Sequence, residues 1–239
     1  RPDLISMGWH PETGHIPHDW HVYNEGMIVL LLALGSSTHP VGEGVWSQWT
    51  GAYGRSWTDE RGPAHLHFAP LFGHQYSHMF IDFRGVQDAW MRAKSAEIDR
   101  PFDYFENSRR AVQAQKKYAV DNPMGWAGYS ADVWGLTACD GPGDFKATIG
   151  GREREFFSYS ARGPGDRDDG TIAPTAAAAS LPFAPEDVTA CVKAIKARYG
   201  AGVYTQWGFL DSFNPTLTTA DRIPALMHGK LVPGVGWVD

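Results

Sequence analysis

The chain has 239 residues, 13% of them aromatic, and its 21 basic and 27 acidic side chains give a formal net charge of −6. This balance provides no basic surface for nucleic acid or for anionic lipids, so we expect a neutral or small ligand. The longest apolar run, Met27–Leu34, is far shorter than the roughly 20 residues that span a bilayer, which argues against membrane insertion.

Apolar patterning predicts helices along much of the chain. Residues 23–34 are apolar almost all round, which predicts a helix buried on every side. Residues 102–120 and 185–199 place apolar side chains on one face at helical spacing, and we expect these two helices at the periphery. Residues 72–82 and 171–180 carry few charges and are predicted as further buried helices.

Strand signals are few. Residues 155–159, in the glycine-rich stretch 141–170, have the composition of an edge strand. The alternation of buried and peripheral helices predicts an all-α double layer, and no linker divides residues 1–239 into separate domains. A toroid of six helical hairpins needs about twelve helices, whereas about six to eight fit here at ordinary helix and loop lengths. We therefore expect an incomplete toroid.

Glu25 is the first candidate for catalysis. It follows Trp20, Tyr23 and Asn24 at the start of the predicted buried helix. A carboxylate there faces the positive end of the helix dipole, while desolvation by the neighbouring aromatic rings raises its pKa. If desolvation dominates, the group keeps its proton and can donate it to a leaving oxygen; otherwise it caps the backbone N–H groups of the helix.

Further carboxylates stand on glycine-rich turns next to predicted buried helices. Asp140 precedes Gly141, and the pair Asp168 and Asp169 precedes Gly170. Glycosidases place two carboxylates across the scissile bond, so loop carboxylates in an aromatic-rich chain suggest this chemistry. Aspartate beside glycine is equally typical of an ordinary turn, and the sequence leaves both interpretations open.

Histidine pairs raise the alternative of a metal site. His74 and His78 stand at the i, i+4 spacing that two zinc ligands on a helix can use. Gln75, however, occupies the position that carries glutamate in the zincin motif, and no third ligand stands at a recognised spacing. We therefore expect no metal and no cofactor. Motifs for acyl transfer, nucleotide hydrolysis and dinucleotide binding are also absent from the sequence.

Nine stretches form longer motifs, in order along essentially the whole chain: residues 7–9, 23–25 (Tyr-Asn-Glu), 71–78, 81–85, 103–108, 134–142, 169–176, 181–186 and 208–214. In these stretches the chain resembles a bacterial family first described as putative glucoamylase, now glycoside hydrolase family 144, whose characterised activity is endo-β-1,2-glucanase. It is also similar to the glucan-cyclising domain of cyclic β-1,2-glucan synthase.

The resemblance implies a fold and a set of site residues. The fold is an (α/α)6 barrel, which in this chain would lack N-terminal helices and the last C-terminal helix. Glu25, in the family's Tyr-Asn-Glu motif, becomes the expected general acid, with Asp140 and Asp169 as further catalytic carboxylates. Rings that stack on glucosyl units and polar groups that contact hydroxyls would bind the substrate. The expected substrate-binding residues are Trp20, Tyr23, His74, Gln75, Tyr76 and Trp134.

The function that the resemblance implies is hydrolysis of a β-linked glucan, as an endo-β-1,2-glucanase that uses two carboxylates in general acid/base catalysis. Transglycosylation to cyclic products by the same fold, and a non-catalytic glycan-binding remnant, are the alternatives. The expected partner is an oligo- or polysaccharide, without nucleic acid and without membrane insertion. We expect a periplasmic or extracellular location, with the signal peptide outside this chain.

Overall fold

A computed structural model describes residues 4–219 and 228–239 of the chain. Contacts between Cα atoms divide these residues into two compact units. The first comprises residues 4–60, 64–68 and 73–108, and the second comprises residues 61–63, 69–72, 109–219 and 228–239. The single domain expected over residues 1–239 stays a prediction. No helix in the described ranges is long and apolar enough to cross a membrane.

Eight α-helices lie in the described part of the chain. They are α1 (Met27–Leu34), α2 (Gly44–Thr50), α3 (Tyr53–Ser56), α4 (Phe72–Gln75), α5 (Ala89–Glu97), α6 (Tyr104–Asp121), α7 (Pro174–Ala178) and α8 (Pro185–Val203). A 3₁₀ turn, Ser77–Met79, follows α4. Each of the five helical segments predicted from the sequence overlaps one of these helices, although α4 and α7 are much shorter than expected.

Within the same described ranges, fifteen short strands, all in antiparallel pairs, accompany these helices, so this is a mixed helix-and-sheet structure and the all-α prediction is wrong. In the first unit the pairs are β1 (Ile5–Ser6) with β4 (Asp19–Trp20), β2 (Trp9–His10) with β3 (Gly14–His15), and β5 (Trp57–Thr58) with β6 (His65–Leu66). In the second unit they are β7 (Ala138–Cys139) with β10 (Ser160–Ala161), β8 (Phe145–Ile149) with β9 (Arg152–Phe156), β11 (Tyr204–Thr205) with β12 (Gly208–Phe209), and β15 (Gly236–Val238) between β13 (Phe213–Asn214) and β14 (Lys230–Val232).

Sequence patterning fails for these strands because most of them have two residues, which is too short for an apolar alternation to show. The one strand signal, residues 155–159, overlaps the end of β9. Strands β8 and β9 form a hairpin in register from Phe145 opposite Phe156 to Ile149 opposite Arg152. The two turn residues, Gly150 and Gly151, both have positive φ, as a two-residue hairpin turn requires.

Aromatic and apolar side chains build the core of the first unit. Its buried members are Tyr23, Met27, Leu30, Val45, Trp49, Tyr53, Leu66, Phe83, Met91, Phe102 and Tyr104. Trp49 Nε1 donates to the Tyr53 hydroxyl (2.7 Å), which lies 3.0 Å from the Tyr104 hydroxyl. Tyr104 in turn donates to Asp88 Oδ2 (2.6 Å). The polar ends of these buried rings therefore satisfy one another.

Helix α1 differs from the predicted buried helix. It ends at Leu34 and is followed by the C-cap residue Gly35. Met27 and Leu30 are buried, but Val29 is 40% exposed and Leu32 is 68% exposed. The prediction of a helix buried on every side is therefore wrong for α1, because one face packs into the core while Val29 and Leu32 project from the other.

Helix α6 also corrects the sequence prediction, which placed it at the periphery. More than half of its side chains are buried, among them the polar residues Asn107 and Gln115. Asn107 Oδ1 accepts a hydrogen bond from the backbone N–H of Leu66 (2.7 Å). Gln115 accepts from the N–H of Leu136 (2.8 Å) and donates to its carbonyl (2.7 Å). These polar side chains are buried because they satisfy backbone groups of strand β6 and of the loop at Leu136, which apolar periodicity cannot reveal.

Helices α7 and α8 pack together in the second unit. Helix α8 begins at Pro185, as the sequence predicts, and extends to Val203. Val188, Cys191 and Ile195 are buried along one face, while most of the remaining side chains are exposed or half-buried. This distribution agrees with the amphipathic, peripheral helix that was expected here.

Candidate functional site

The segment before α1 positions Glu25. Asn24 Nδ2 donates to the carbonyl of His21 (3.0 Å), and its Oδ1 accepts from the backbone N–H of Gly26 (2.8 Å). The Trp20 indole packs on Gly26, where a Cβ atom would lie 2.5 Å from the ring. Glycine is required at this position because any side chain would displace the indole. Glu25 therefore stands in a hydrogen-bonded turn, next to the glycine on which the Trp20 ring packs.

Glu25 is half-buried and lies just before Gly26, the N-cap of α1, rather than in the first helical turn as expected. Burial raises the pKa of its carboxyl, and a hydrogen bond from its own backbone lowers it in part. The Oε2 atom is buried and has no hydrogen-bond partner. Since no donor compensates for the loss of water at Oε2, the environment favours the protonated form of the group.

Tyr23 and His74, both predicted to bind substrate, lie in the interior of the first unit. Their ring centroids are 5.0 Å apart, and the Tyr23 hydroxyl lies 3.1 Å from Ser108 Oγ. His74 Nε2 donates to the carbonyl of Phe68 (3.1 Å), whereas Nδ1 is buried without a partner. Burial, assisted by the neighbouring His65, lowers the pKa of His74 well below its ordinary value. The imidazole is therefore neutral.

The other predicted substrate-binding residues of the first unit differ in exposure. Trp20 is half-buried and packs against the core. Gln75 is buried, whereas Tyr76 is 50% exposed. Tyr76, and Trp20 in part, therefore offer ring surface to a ligand.

Asp169 is enclosed in the second unit. Its Oδ1 accepts from Arg162 Nε and its Oδ2 from Arg162 Nη2, both at 2.8 Å. The backbone N–H groups of Phe157 (3.1 Å) and Thr171 (3.0 Å) donate to the same carboxylate. This arrangement favours a structural role for Asp169, and the catalytic role expected from the sequence stays a prediction.

Asp140 lies in a cluster of three carboxylates with Asp211 and Asp239, with one oxygen of each within 4.8 Å of the others. The backbone N–H of Asp140 donates to Asp211 Oδ2 (2.8 Å), and Ser212 Oγ donates to the Asp140 carbonyl (2.7 Å). Burial, together with the two neighbouring carboxylates, raises the pKa of Asp239. Within the described ranges this cluster is the one group of three potential metal ligands, and its oxygen atoms would suit a hard cation.

Trp134, also predicted to bind substrate, is buried, and its indole Nε1 has no hydrogen-bond partner. Its backbone carbonyl accepts from Cys191 Sγ (3.4 Å). Cys139 and Cys191 are free and buried, and burial raises their pKa values to about 12 and about 11. Both residues therefore act as packed thiols without nucleophilic character.

A cleft of about 680 Å³ opens beside Asp168 in the second unit. Asp168 Oδ2 accepts from the Tyr118 hydroxyl (2.7 Å) and from Trp126 Nε1 (2.9 Å), and Oδ1 accepts from the Tyr129 hydroxyl (2.6 Å). Burial raises the pKa of Asp168, and these donors lower it in part. Sequence reasoning noted Asp168 as a turn carboxylate but could not predict its aromatic donors, which come from distant parts of the chain.

The model of the family described as putative glucoamylase matches residues 17–235. The chain belongs to this family. The resemblance drawn from the sequence motifs is therefore confirmed. Among curated proteins, this member of the putative glucoamylase family is similar to the exo beta-1,2-glucooligosaccharide sophorohydrolase (non-reducing end) of Parabacteroides distasonis. The two are 30% identical over 149 residues, which is 62% of this chain and 17% of the relative.

Solved structures of related proteins match most of this family member. A putative glucoamylase from Bacteroides uniformis is 31% identical, with a TM-score of 0.73 over 90% of this chain and 48% of its own. An endo-β-1,2-glucanase from Chitinophaga pinensis, solved with sophorotriose and glucose, is 25% identical, with a TM-score of 0.71 over 90% of this chain and 48% of its own. The chain therefore spans about half the length of these two structures.

The predicted site residues of this family member belong to both units. The first unit contains Trp20, Tyr23, Glu25, His74, Gln75 and Tyr76, and the second contains Trp134, Asp140 and Asp169. Sequence reasoning missed the association of Asp140 with Asp211 and Asp239. The signal for Asp211 was available, because it lies in the motif at residues 208–214, whereas nothing local marks Asp239.

Proposed function

We propose that this chain takes part in the hydrolysis of a β-linked glucan, and specifically of β-1,2-glucan. Family membership supports this proposal. The similarity to the sophorohydrolase and to the endo-β-1,2-glucanase supports it too, because both of their names specify a β-1,2 linkage. The chain spans 48% of that endo-glucanase, so the activity of the whole protein is part of the proposal. An (α/α)6 barrel as the helical framework is likewise a proposal, which rests on the resemblance to the family whose model the chain matches.

The environment of Glu25 is the observation that carries the proposal. A general acid must hold its proton at the pH of the reaction and release it to the leaving group. The half-buried carboxyl has a raised pKa and an Oε2 atom that no protein donor contacts. Desolvation raises the pKa of catalytic acids in other glycosidases in the same way and keeps them protonated.

In the proposed reaction Glu25 gives its proton to the glycosidic oxygen as the bond from that oxygen to the anomeric carbon breaks. The oxygen of a water molecule bonds to the anomeric carbon, and a second carboxylate accepts the proton that this water loses. The second role stays a prediction for Asp140, which is half-buried in the carboxylate cluster of the second unit with Asp211 and Asp239. Asp169 is the weaker candidate because Arg162 and two backbone N–H groups already occupy its oxygens.

Substrate contacts are assigned by exposure. The rings of Tyr76 and Trp20 are proposed to contact glucosyl units directly, since both have accessible surface. Tyr23 and His74 in the first unit, and Trp134 in the second, are buried and would act by packing within their own units. A periplasmic or extracellular location remains part of the proposal, because a polymeric substrate is met there.

The test is to incubate the native polypeptide that contains this chain with linear β-1,2-glucan and with β-1,3- and β-1,4-glucans as controls. The expected result is new reducing ends and short β-1,2-linked oligosaccharides from the β-1,2-glucan alone. Cyclic products without new reducing ends would indicate transglycosylation instead. Saturable binding without any product would indicate a glycan-binding remnant, and cleavage of the control glucans alone would contradict the proposed linkage.

A further inference from the structure

Trp207 stands out among the tryptophans of the chain. Eight of the ten tryptophans are buried or half-buried, whereas Trp207 is 89% exposed and Trp9 is 59% exposed. Indole is a large apolar surface, and its exposure to water contributes nothing to the packing of the fold. We infer that Trp207 is a stacking platform for a glucosyl unit of the substrate, an inference that rests on the proposed function.

The backbone around Trp207 is held firmly. It occupies the turn of the β11–β12 hairpin, where Thr205 lies opposite Gly208 and Tyr204 lies opposite Phe209. Thr205 Oγ1 accepts from the backbone N–H of Trp207 (3.1 Å) and donates to the carbonyl of Gly208 (3.1 Å). A turn fixed in this way presents the indole without the entropic cost of ordering a loop when a ligand binds.

Side-chain contacts stiffen the base of the same hairpin. The rings of Tyr204 and Phe209 pack edge to face with centroids 4.9 Å apart. Lys196 Nζ, on α8, lies 3.9 Å from the centre of the Tyr204 ring. The backbone N–H of Leu210 donates to the carbonyl of Val203 (2.9 Å), which joins the hairpin to the end of α8. The hairpin is therefore a rigid support, and Trp207 is the exposed ring at its tip.

The hairpin leads directly into the carboxylate cluster. Asp211 follows Trp207 by four residues, and its Oδ2 accepts the hydrogen bond from the backbone N–H of Asp140. Three carboxylates repel an anionic ligand, so the charge here favours a neutral polyol. A glucopyranose ring combines an apolar C–H face, which stacks on indole, with hydroxyl groups that aspartate side chains can accept from.

The residue type also argues for a ligand. Turns of two-strand hairpins favour glycine, asparagine, aspartate and serine, which satisfy the backbone without a large side chain. Tryptophan offers the turn no such advantage. Its presence at the tip is explained by contact with a ligand.

The platform is tested by isothermal titration of the native polypeptide that contains this chain with sophorotriose. Trp207→Ala should weaken binding by about 3- to 10-fold, the scale expected for the loss of one stacked ring, and Trp207→Phe should restore part of the affinity. Trp9→Ala is the matched control, since Trp9 is also an exposed tryptophan on a short hairpin. Its affinity for sophorotriose should equal that of the wild type. The melting temperature should not change in either alanine variant.

The outcomes separate the platform from the proposed function. If the wild type binds sophorotriose and Trp207→Ala binds it equally well, the platform is wrong while the proposed substrate stands. Equal weakening in Trp207→Ala and Trp9→Ala would also overturn the platform, because the effect would not be specific to the β11–β12 hairpin. If the wild type does not bind sophorotriose, both the platform and the proposed substrate are wrong.

Discussion

The guanidinium of Arg162 donates to both carboxylate oxygens of Asp169, and neither side chain has any exposed surface. Removing one partner of such a pair leaves the other charge buried and uncompensated. Asp169→Asn should therefore lower the free energy of unfolding by about 3 to 5 kcal/mol, measured by chemical denaturation.

The matched control for this change is Asp132→Asn. Asp132 pairs with Arg198 at 2.6 Å, but the two side chains are 39% and 47% exposed. Loss of this pair should cost no more than about 1 kcal/mol. Equal losses in the two variants would contradict a structural role for Asp169. Unchanged stability with lost turnover in Asp169→Asn would assign Asp169 to catalysis instead.

The burial of His78 leads us to expect a loss of stability at acid pH. Its Nε2 lies 3.0 Å from Ser108 Oγ, and burial lowers its pKa to about 4, although Asp103 and Asp82 raise it in part. Between that value and the ordinary value of 6.5 the unfolded chain binds the proton more readily, so the free energy of unfolding falls as the pH falls through this window. His78→Gln should remove up to about 3 kcal/mol of this dependence.

Urea titrations at several pH values through the same window measure the effect. Glutamine keeps a side chain that can hydrogen-bond to Ser108, so the variant changes the titration more than the packing. The exposed residue His10 provides the control, and His10→Gln should keep the pH dependence of the wild type. The same pH dependence in His78→Gln and in the wild type would show that His78 does not contribute as described.

The carboxylate cluster of Asp140, Asp211 and Asp239 invites a test for a metal. We expect no metal requirement, because Ca²⁺ takes about six to eight oxygen ligands and a proton on Asp239, whose pKa is raised, can relieve the repulsion within the cluster. Dialysis against EDTA should leave both the melting temperature and glucan binding unchanged. A loss that added Ca²⁺ or Mg²⁺ restores would contradict this expectation.

Local patterns in the sequence were sufficient to locate helices but not to rank them by burial. Apolar composition located α1, yet Leu32 is exposed. Composition alone does not show which faces of a helix pack against other parts of the protein. The polar residues of α6 suggested a peripheral helix, whereas Asn107 and Gln115 are buried and bond backbone groups of Leu66 and Leu136, which are distant in the sequence. Tertiary contacts decide these outcomes, and they leave no periodic signal in the sequence.

The candidate site was predictable where a motif is contiguous. Glu25 was found from the Tyr-Asn-Glu stretch and from its aromatic neighbours, and its raised pKa agrees with the expected desolvation. The enclosure of Asp169 depends on Arg162, seven residues earlier, and the exposure of Trp207 depends on a hairpin with strands of two residues. Neither feature could be inferred from residue type and spacing alone.

The most direct test of Glu25 as the general acid is kcat/KM on linear β-1,2-glucan for Glu25→Gln, in the native polypeptide that contains this chain. Glutamine keeps the size of the side chain but carries no proton to donate, so kcat/KM should fall by about 10²- to 10⁴-fold while sophorotriose affinity stays close to that of the wild type. Glu12→Gln, at an exposed position of the same unit, should retain full activity. Turnover by Glu25→Gln close to that of the wild type would contradict the assignment and leave Glu25 as a residue that only shapes the start of α1.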